Sequence, residues 1–303
     1  ILVLSSPELL LATPWLRLTT RATLVYDVHE DYPANVLHGP GWPGPMRRGL
    51  AWLIRTTERL AARHWLHGLA YAETAFSGML PSRRTPSAVI PNTYTGTAKL
   101  YDPPAAPPYH LSITGTLAPA WGLFRALAWA EALQAQGLSL QLTIAGWAPQ
   151  PGTLAELGRW LATSPLGAVT TLRGGHQPLA HSRIQQVLAH SHATFALYDT
   201  SPNIAPRIPT KFYEGMALGV PVLFAAHRPW QQLHAQHPFG MALSPTPAEG
   251  AVKKVASALE QGFPEVRDAA VPPAVWAWAH HAPEWVALLQ RAKKSRSPKG
   301  AAD

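Results

Sequence analysis

Cysteine is absent from the 303 residues. That one absence removes disulfides, thiolate metal sites and cysteine nucleophiles together. Charge is scarce as well: Asp, Glu, Lys and Arg make up 14% of the chain, against roughly 25% in ordinary soluble domains. No apolar run reaches the roughly 18 residues that a membrane-spanning helix needs, and the longest, such as residues 215–226, stop well short. Acid is the scarcer sign, with 17 acidic against 25 basic residues and a formal net charge of +8. Hydrophobic residues, by contrast, are 47% of the chain and evenly spread. They suffice for one large or two medium cores, and this excludes disorder for most of the length. The chain opens on Ile1-Leu-Val-Leu with no basic region before it, which reads as a start inside a domain and not as a signal peptide.

The positive excess is uneven: +3 over residues 1–108, +1 over 109–290 and +4 over 291–303. The last segment carries Arg291, Lys293, Lys294, Arg296 and Lys299 among Ser, Pro and Gly, and is expected to be a solvated, disordered end. There is no zinc-finger spacing and no interleaving of aromatic with basic residues, so no nucleic-acid partner is expected. Arg55, Arg59 and Arg63 recur every four residues and so fall on one helical stripe, just after Arg47 and Arg48. Two readings are open: a solvated face partly compensated by Glu58, or a stripe resting on anionic lipid headgroups.

Two alternating α/β stretches flank residues 101–108, where four prolines in eight positions exclude helix and central strand and mark a hinge. Before the hinge, residues 1–4, 23–28, 68–72 and 88–90 are β-prone, with helices expected over 46–65 and around 74–80. After it, strands are expected at 110–114, 139–145, 169–173, 193–196 and 221–224. Helices fall between them at 123–135, 153–163, 184–190 and 210–217. A final helix over 273–291 carries Trp276, Trp278 and Trp285 and is expected to pack across the body. Strands alternating with helices of this length argue for parallel sheets built from βαβ units. Such sheets bind ligands at the carboxyl ends of their strands.

The segment Pro-Thr-Lys-Phe-Tyr-Glu-Gly-Met-Ala-Leu-Gly-Val-Pro-Val, residues 209–222, carries the sharpest chemistry. Thr210 is a candidate N-cap, and the free amides there, with Arg207 and Lys211 nearby, suit a phosphate. Glu214 lies one turn into the helix, where a carboxylate can accept hydrogen bonds from a diol such as ribose. Elsewhere, His29 follows an apolar strand, and Asp27, Glu30 and Asp31 would favour its charged form if close. His280, His281 and the other scattered histidines show no metal-ligand spacing.

Residues 209–222 resemble the donor segment of the retaining glycosyltransferases of family 4, which have the GT-B fold. Further matches follow in order: Tyr-Asp-Val-His-Glu-Asp-Tyr-Pro at 26–33, Val-Ile-Pro-Asn at 89–92, Ile-Thr-Gly-Thr at 113–116, Leu-Thr-Ile-Ala-Gly at 142–146, Leu-Arg-Gly-Gly-His at 172–176 and His-Arg-Pro-Trp at 227–230. The last resembles a bacterial surface or exopolysaccharide subgroup.

The resemblance implies an α/β, GT-B-like fold of two Rossmann-like lobes with a cleft between them. Residues 1–108 would be an acceptor-side lobe lacking its opening βα units, residues 109–280 the nucleotide-sugar lobe, and 281–303 the end of the last helix and the basic tail. It implies that Glu214 holds the donor ribose, that Thr210 and Lys211 face the diphosphate, and that Arg173, Gly174 and His176 border base and phosphates. Gly115 and Thr116 would let the backbone approach the pyrophosphate, and His29 would face the transferred sugar as the catalytic residue. The expected reaction moves a hexose-like unit from a UDP- or GDP-sugar to a glycan or lipid-linked acceptor, with retention. No cofactor is expected, and no obligatory metal, because no Asp-x-Asp pair occurs. The setting implied is cytoplasmic, peripheral at the inner face of the membrane.

Two departures bear on activity. Where the family presents an Arg and a Lys to the leaving diphosphate, this chain has Thr116 and Trp121, and where it has a second glutamate this chain has Pro206. Arg207, Lys211 and Arg173 are the candidate substitutes. A nucleotide-sugar-binding protein without transfer activity is therefore the alternative reading, and a basic membrane-surface scaffold a third.

Overall fold

A computed structural model describes residues 1–39, 43–80, 85–97, 104–269 and 271–296. The chain divides into two units: residues 1–92 with 201–207 and 278–303, and residues 93–200 with 208–277.

The first unit is built on four parallel strands in the order β1 (Leu2–Leu4), β2 (Leu24–Val28), β3 (Gly68–Tyr71), β4 (Ser87–Val89). Helices α1 (Thr13–Thr19), α2 (Tyr32–His38) and α3 (Gly44–His64) connect them. β2 reads Leu-Val-Tyr-Asp-Val and β3 Gly-Leu-Ala-Tyr. Such near-continuous apolar runs are what parallel strands covered on both faces require. Residues 74–80, expected to be helical, form only a 3-10 turn over Thr74–Phe76. Phe76 and Leu80 are instead buried in the core with Leu24, Tyr26 and Leu69.

The second unit carries six parallel strands in the order β10-β9-β8-β5-β6-β7. In chain order its elements are β5 (Tyr109–Thr116), α4 (Leu123–Ala135), β6 (Leu140–Trp147), α5 (Pro151–Thr163), β7 (Thr170–Gly175), α6 (His181–Ala189) and β8 (Ala193–Ala196). There follow α7 (Thr210–Leu218), β9 (Val222–Ala225), α8 (Arg228–Gln236), β10 (Gly240–Leu243), α9 (Glu249–Gln261), α10 (Pro264–Arg267) and α11 (Pro273–Trp276). α4 buries Leu123, Ala126, Leu127, Ala130 and Leu133, the i, i+3, i+4 spacing of one helix face. Trp129 lies fully within this core, and its indole N–H donates to the Ser244 carbonyl at 3.0 Å. A tryptophan held in this way contributes on the order of 3–5 kcal/mol relative to alanine.

α12 (Trp278–Arg296) packs on β2, β3 and β4 of the first unit, while α11 packs on α7 of the second. The expected single helix over 273–291 is thus broken at Ala277, which is extended (φ −95°, ψ 123°). The basic segment expected to be disordered from residue 291 stays helical to Arg296, because Ala292 is buried and Ser295 donates to the His67 carbonyl at 3.2 Å. Residues 297–303, and 101–103 of the proline-rich stretch, lie outside the described residues. Among the described residues no helix is long and apolar enough to cross a membrane.

Candidate functional site

The carboxyl ends of β5, β6 and β7 bring three glycines into one row. Gly115 pairs in register with Gly146, and Gly146 with Gly174. A Cβ on Gly146 would stand 1.7 Å from the Gly115 carbonyl oxygen, and one on Gly174 2.3 Å from that of Gly146. Gly115 and Gly174 also have left-handed backbones, with φ of 88° and 86°. Only glycine satisfies this close approach, and the result is a ledge of bare backbone at the strand ends.

Lys211 reaches over that ledge. It is the second residue of α7 and is 8% exposed. Its ammonium donates to the Tyr198 hydroxyl at 2.9 Å and lies 5.2 Å from the centre of that ring. A Cβ on Gly115 would be 3.0 Å from Lys211 Nζ. Among the described residues no carboxylate pairs with it. Trp121 stacks edge-on against Tyr198 at 5.3 Å between ring centres. The residue standing where a cation was implied thus braces the tyrosine that holds the lysine.

Helix α7 begins because Pro209 is extended (φ −57°, ψ 133°) and its carbonyl accepts from Phe212 N at 2.9 Å. Pro209, not Thr210, is therefore the capping position. Thr210 already has helical geometry as the first residue of α7, and it is exposed. The first amides of a helix have no intrahelical acceptor, so the anion-binding property expected there stands without a side-chain cap. Glu214, one turn on, is 8% exposed. His181 Nε2 lies 3.6 Å from Glu214 Oε1. Burial raises the pKa of the Tyr94 phenol, and the Glu214 carboxylate adds to the rise. The Tyr94 hydroxyl also accepts from Gln185 Nε2 at 3.1 Å.

Arg173 and Gly174 on edge strand β7, and His176 just beyond it, are exposed. Thr116, the last residue of β5, is half-buried. Arg207, expected beside Lys211, belongs to the first unit. Its guanidinium donates to Glu30 at 2.8 Å and to Asn35 Oδ1 at 2.6 Å, so its charge is already matched.

In the first unit, His29 stands just past β2 with both ring nitrogens engaged. Nε2 lies 3.1 Å from Asp27, and Nδ1 lies 3.2 Å from the Asn92 amide. The hydrogen bond to Asp27 raises the His29 pKa; partial burial works against it, and the charges of Asp27 and Glu30 reinforce it. Asp31 does not join this cluster. It caps α2 by accepting from Ala34 N at 3.2 Å, and it accepts from Arg55 at 2.6 Å. Arg55 in turn donates to Glu58 at 3.0 Å, and Glu58 accepts from the Tyr26 hydroxyl at 3.0 Å. Glu58 is 1% exposed, so it does not compensate a solvated face as expected. Burial raises its pKa. A groove of about 430 Å³ lies between α2 and α3, with Leu37, Ala51 and Trp52 on its walls and Arg48 beside them.

The contributors to these clusters that the sequence reading did not single out include Tyr94, Tyr198, His181, Gln185 and Asn35. Tyr198 follows the end of β8 as His29 follows β2, a strand-end position that was a usable signal. His181 and Gln185 lie on a short helix with nothing in its composition to mark them.

No family model and no curated protein matches the sequence. Solved structures match over almost the whole chain. Anabaena HepE in complex with UDP and glucose superposes with a TM-score of 0.67 at 14% identity, covering 95% of this chain and 77% of that one. Sucrose-phosphate synthase from Thermosynechococcus elongatus gives 0.64 at 15% identity, covering 95% and 72%. AviGT4, a glycosyltransferase involved in avilamycin A biosynthesis, gives 0.55 at 18% identity, covering 98% and 79%. The likeness establishes the fold, an α/β architecture with two parallel Rossmann-like sheets shared with GT-B proteins.

Proposed function

We propose that the protein is a glycosyltransferase that uses a nucleoside diphosphate sugar. One observation carries this reading: a buried ammonium, Lys211, without a partner carboxylate among the described residues, set over a glycine ledge at the ends of parallel strands. Buried charges are ordinarily paired, so the site calls for an anion. The ledge admits a group as bulky as a diphosphate, and the start of α7 adds free amides facing the same charge. Glu214, one turn further, suits a ribose diol. HepE has been captured with UDP-glucose as well as with UDP and glucose, which supports a nucleotide sugar as the ligand.

In this reading Lys211 does the work of the cations absent at Thr116 and Trp121, stabilising the charge that develops on the departing diphosphate. Arg173, Gly174 and His176 border the base and phosphates, and His29, oriented by Asp27 and Asn92 within the first unit, is the catalytic residue that the resemblance implies. The reaction is transfer with retention, as the resemblance to family 4 implies, to a glycan or lipid-linked acceptor of the cell envelope at the cytoplasmic side. The α2/α3 groove, apolar with Arg48 beside it, supports an amphiphilic acceptor. A second reading, donor binding without transfer, is favoured by one feature: Trp121 fills a cation's place with a ring.

A thermal-shift screen across UDP-, GDP-, ADP- and dTDP-sugars tests the ligand class, because a ligand that binds the folded state raises its melting temperature. Stabilisation by one nucleotide series, and less by its free nucleoside, is expected. No shift with any of them removes the donor reading.

A further inference from the structure

The outer side of α3 presents a combination that the charge pattern alone did not reveal. Met46, Leu53 and Leu60 repeat every seven residues and so form one line along the helix. They are 54%, 54% and 45% exposed. Beside them, at spacings of four and seven, run Arg48, Trp52, Arg59 and Arg63, with Trp52 68% exposed. The opposite side buries Glu58, Ala61 and Ala62 against the unit's own core, and Ala51 is buried on the side of the α2/α3 groove. Arg55, expected on the outer stripe, is turned towards Asp31 and Glu58. Glu58 is the only acid in the helix, and it points inward, so α3 shows cations and apolar side chains outward and no carboxylate. The 3-10 turn Pro7–Ala12 packs against α3 and exposes Leu11 as well.

A solvated helix face has no use for an exposed Trp and three exposed long apolar chains in adjacent rows. A protein partner would meet three arginines that demand matching acids, whereas a headgroup layer supplies negative charge at every position and an acyl boundary just beneath it. An outward face of Trp, Leu and Met beside arginines is the composition of helices that lie in the plane of a membrane interface. We propose that the outer face of α3 docks on an anionic lipid bilayer, with Trp52, Leu53 and Leu60 entering the headgroup–acyl boundary and Arg48, Arg59 and Arg63 among the headgroups. This inference does not depend on the donor reading.

The test is flotation of the full chain with vesicles of phosphatidylcholine alone or mixed with phosphatidylglycerol. Binding is expected to the mixed vesicles and to weaken with salt. Each arginine near an anionic surface is worth about a fivefold change in partitioning, so Arg59→Ala with Arg63→Ala should lower binding roughly 25-fold. Trp52→Ser with Leu53→Ser should weaken binding to both vesicle types. All four positions are exposed or on the outer face, so melting temperatures should hold. Lys293→Ala with Lys294→Ala, on the other basic segment, should leave binding largely unchanged. The proposal is overturned if the folded wild type ignores phosphatidylglycerol, or if binding follows Lys293 and Lys294 and not α3. It is equally overturned if Trp52→Ser dissolves a dimer of a protein that never floats with vesicles.

Discussion

The ammonium of Lys211 stands against the α-carbon of Gly115, so close that a methyl group there would lie 3.0 Å from Nζ. One residue is on helix α7 and the other at the end of β5, and the strand end supplies bare backbone while the helix supplies the charge. Lys211→Met keeps the bulk and removes the charge. Nucleoside diphosphate affinity should then fall by roughly 1.5–3 kcal/mol, the scale of a hydrogen bond to a charged group, while the free nucleoside binds almost as before. Arg207→Ala should behave differently, because Glu30 and Asn35 already hold that side chain. It should lower the melting temperature and leave diphosphate affinity near wild type. Calorimetric titration of UDP and uridine into both variants separates the two roles, and equal losses for UDP and uridine in Lys211→Met would contradict the assignment.

Glu214→Ala is expected to weaken nucleotide-sugar binding by a similar amount, about 1.5–3 kcal/mol. The 2′-deoxy form of the same nucleotide should bind wild type and variant with nearly equal affinity, since the carboxylate reads the diol. A variant that keeps full preference for the ribonucleotide would show that Glu214 serves the fold alone.

Much of this site was legible because strand ends, glycines and a short helix start leave local marks. Gly115, Gly146 and Gly174 each stand at the end of a β-prone run, and parallel pairing in register converts three separate signals into one ledge. Arg207 was misplaced because four positions along the chain read as proximity, and nothing local to 201–207 reveals that Glu30 and Asn35 claim it. Glu58 was misread for a similar reason. Its partners Tyr26 and Arg55 come from a strand and from its own helix, and helical spacing alone cannot say which side meets a core. The α3 stripe carried the same ambiguity, settled only by the strand residues Leu24, Tyr26 and Leu69, with which Ala61 and Ala62 share a core.

His29 is expected to titrate above the ordinary histidine value near 6.5, because Asp27 favours its protonated form. The stability this pair adds is fully present below 6.5 and is lost as pH rises through the higher folded-state value. Asp27→Asn should lower the His29 pKa and abolish that loss. Proton resonances of the imidazole followed from pH 5 to 9 give both values, and an unchanged midpoint in Asp27→Asn would remove Asp27 as the cause.

His67 shows the opposite sign. Burial pushes its pKa down to about 4, and the charges of Arg17 and Arg296 add to the effect. Its Nδ1 accepts from Leu24 N at 3.0 Å, and the Arg17 guanidinium lies against Nε2. The folded chain resists protonation that the unfolded chain accepts, so stability should fall as pH drops from 6.5 towards 4, by up to about 3 kcal/mol. Denaturant titrations of wild type and His67→Gln across that range check this, and the variant should lose most of the pH-dependent slope.

Release of nucleoside diphosphate from the best-stabilising sugar donor, in cell extract containing acceptors, tests the proposed activity most directly. The wild type should release product, Glu214→Ala should lose release with donor affinity, and His29→Ala should lose release while still binding donor. A wild type that binds the donor and releases nothing would contradict the enzymatic account and leave a nucleotide-sugar-binding protein in its place.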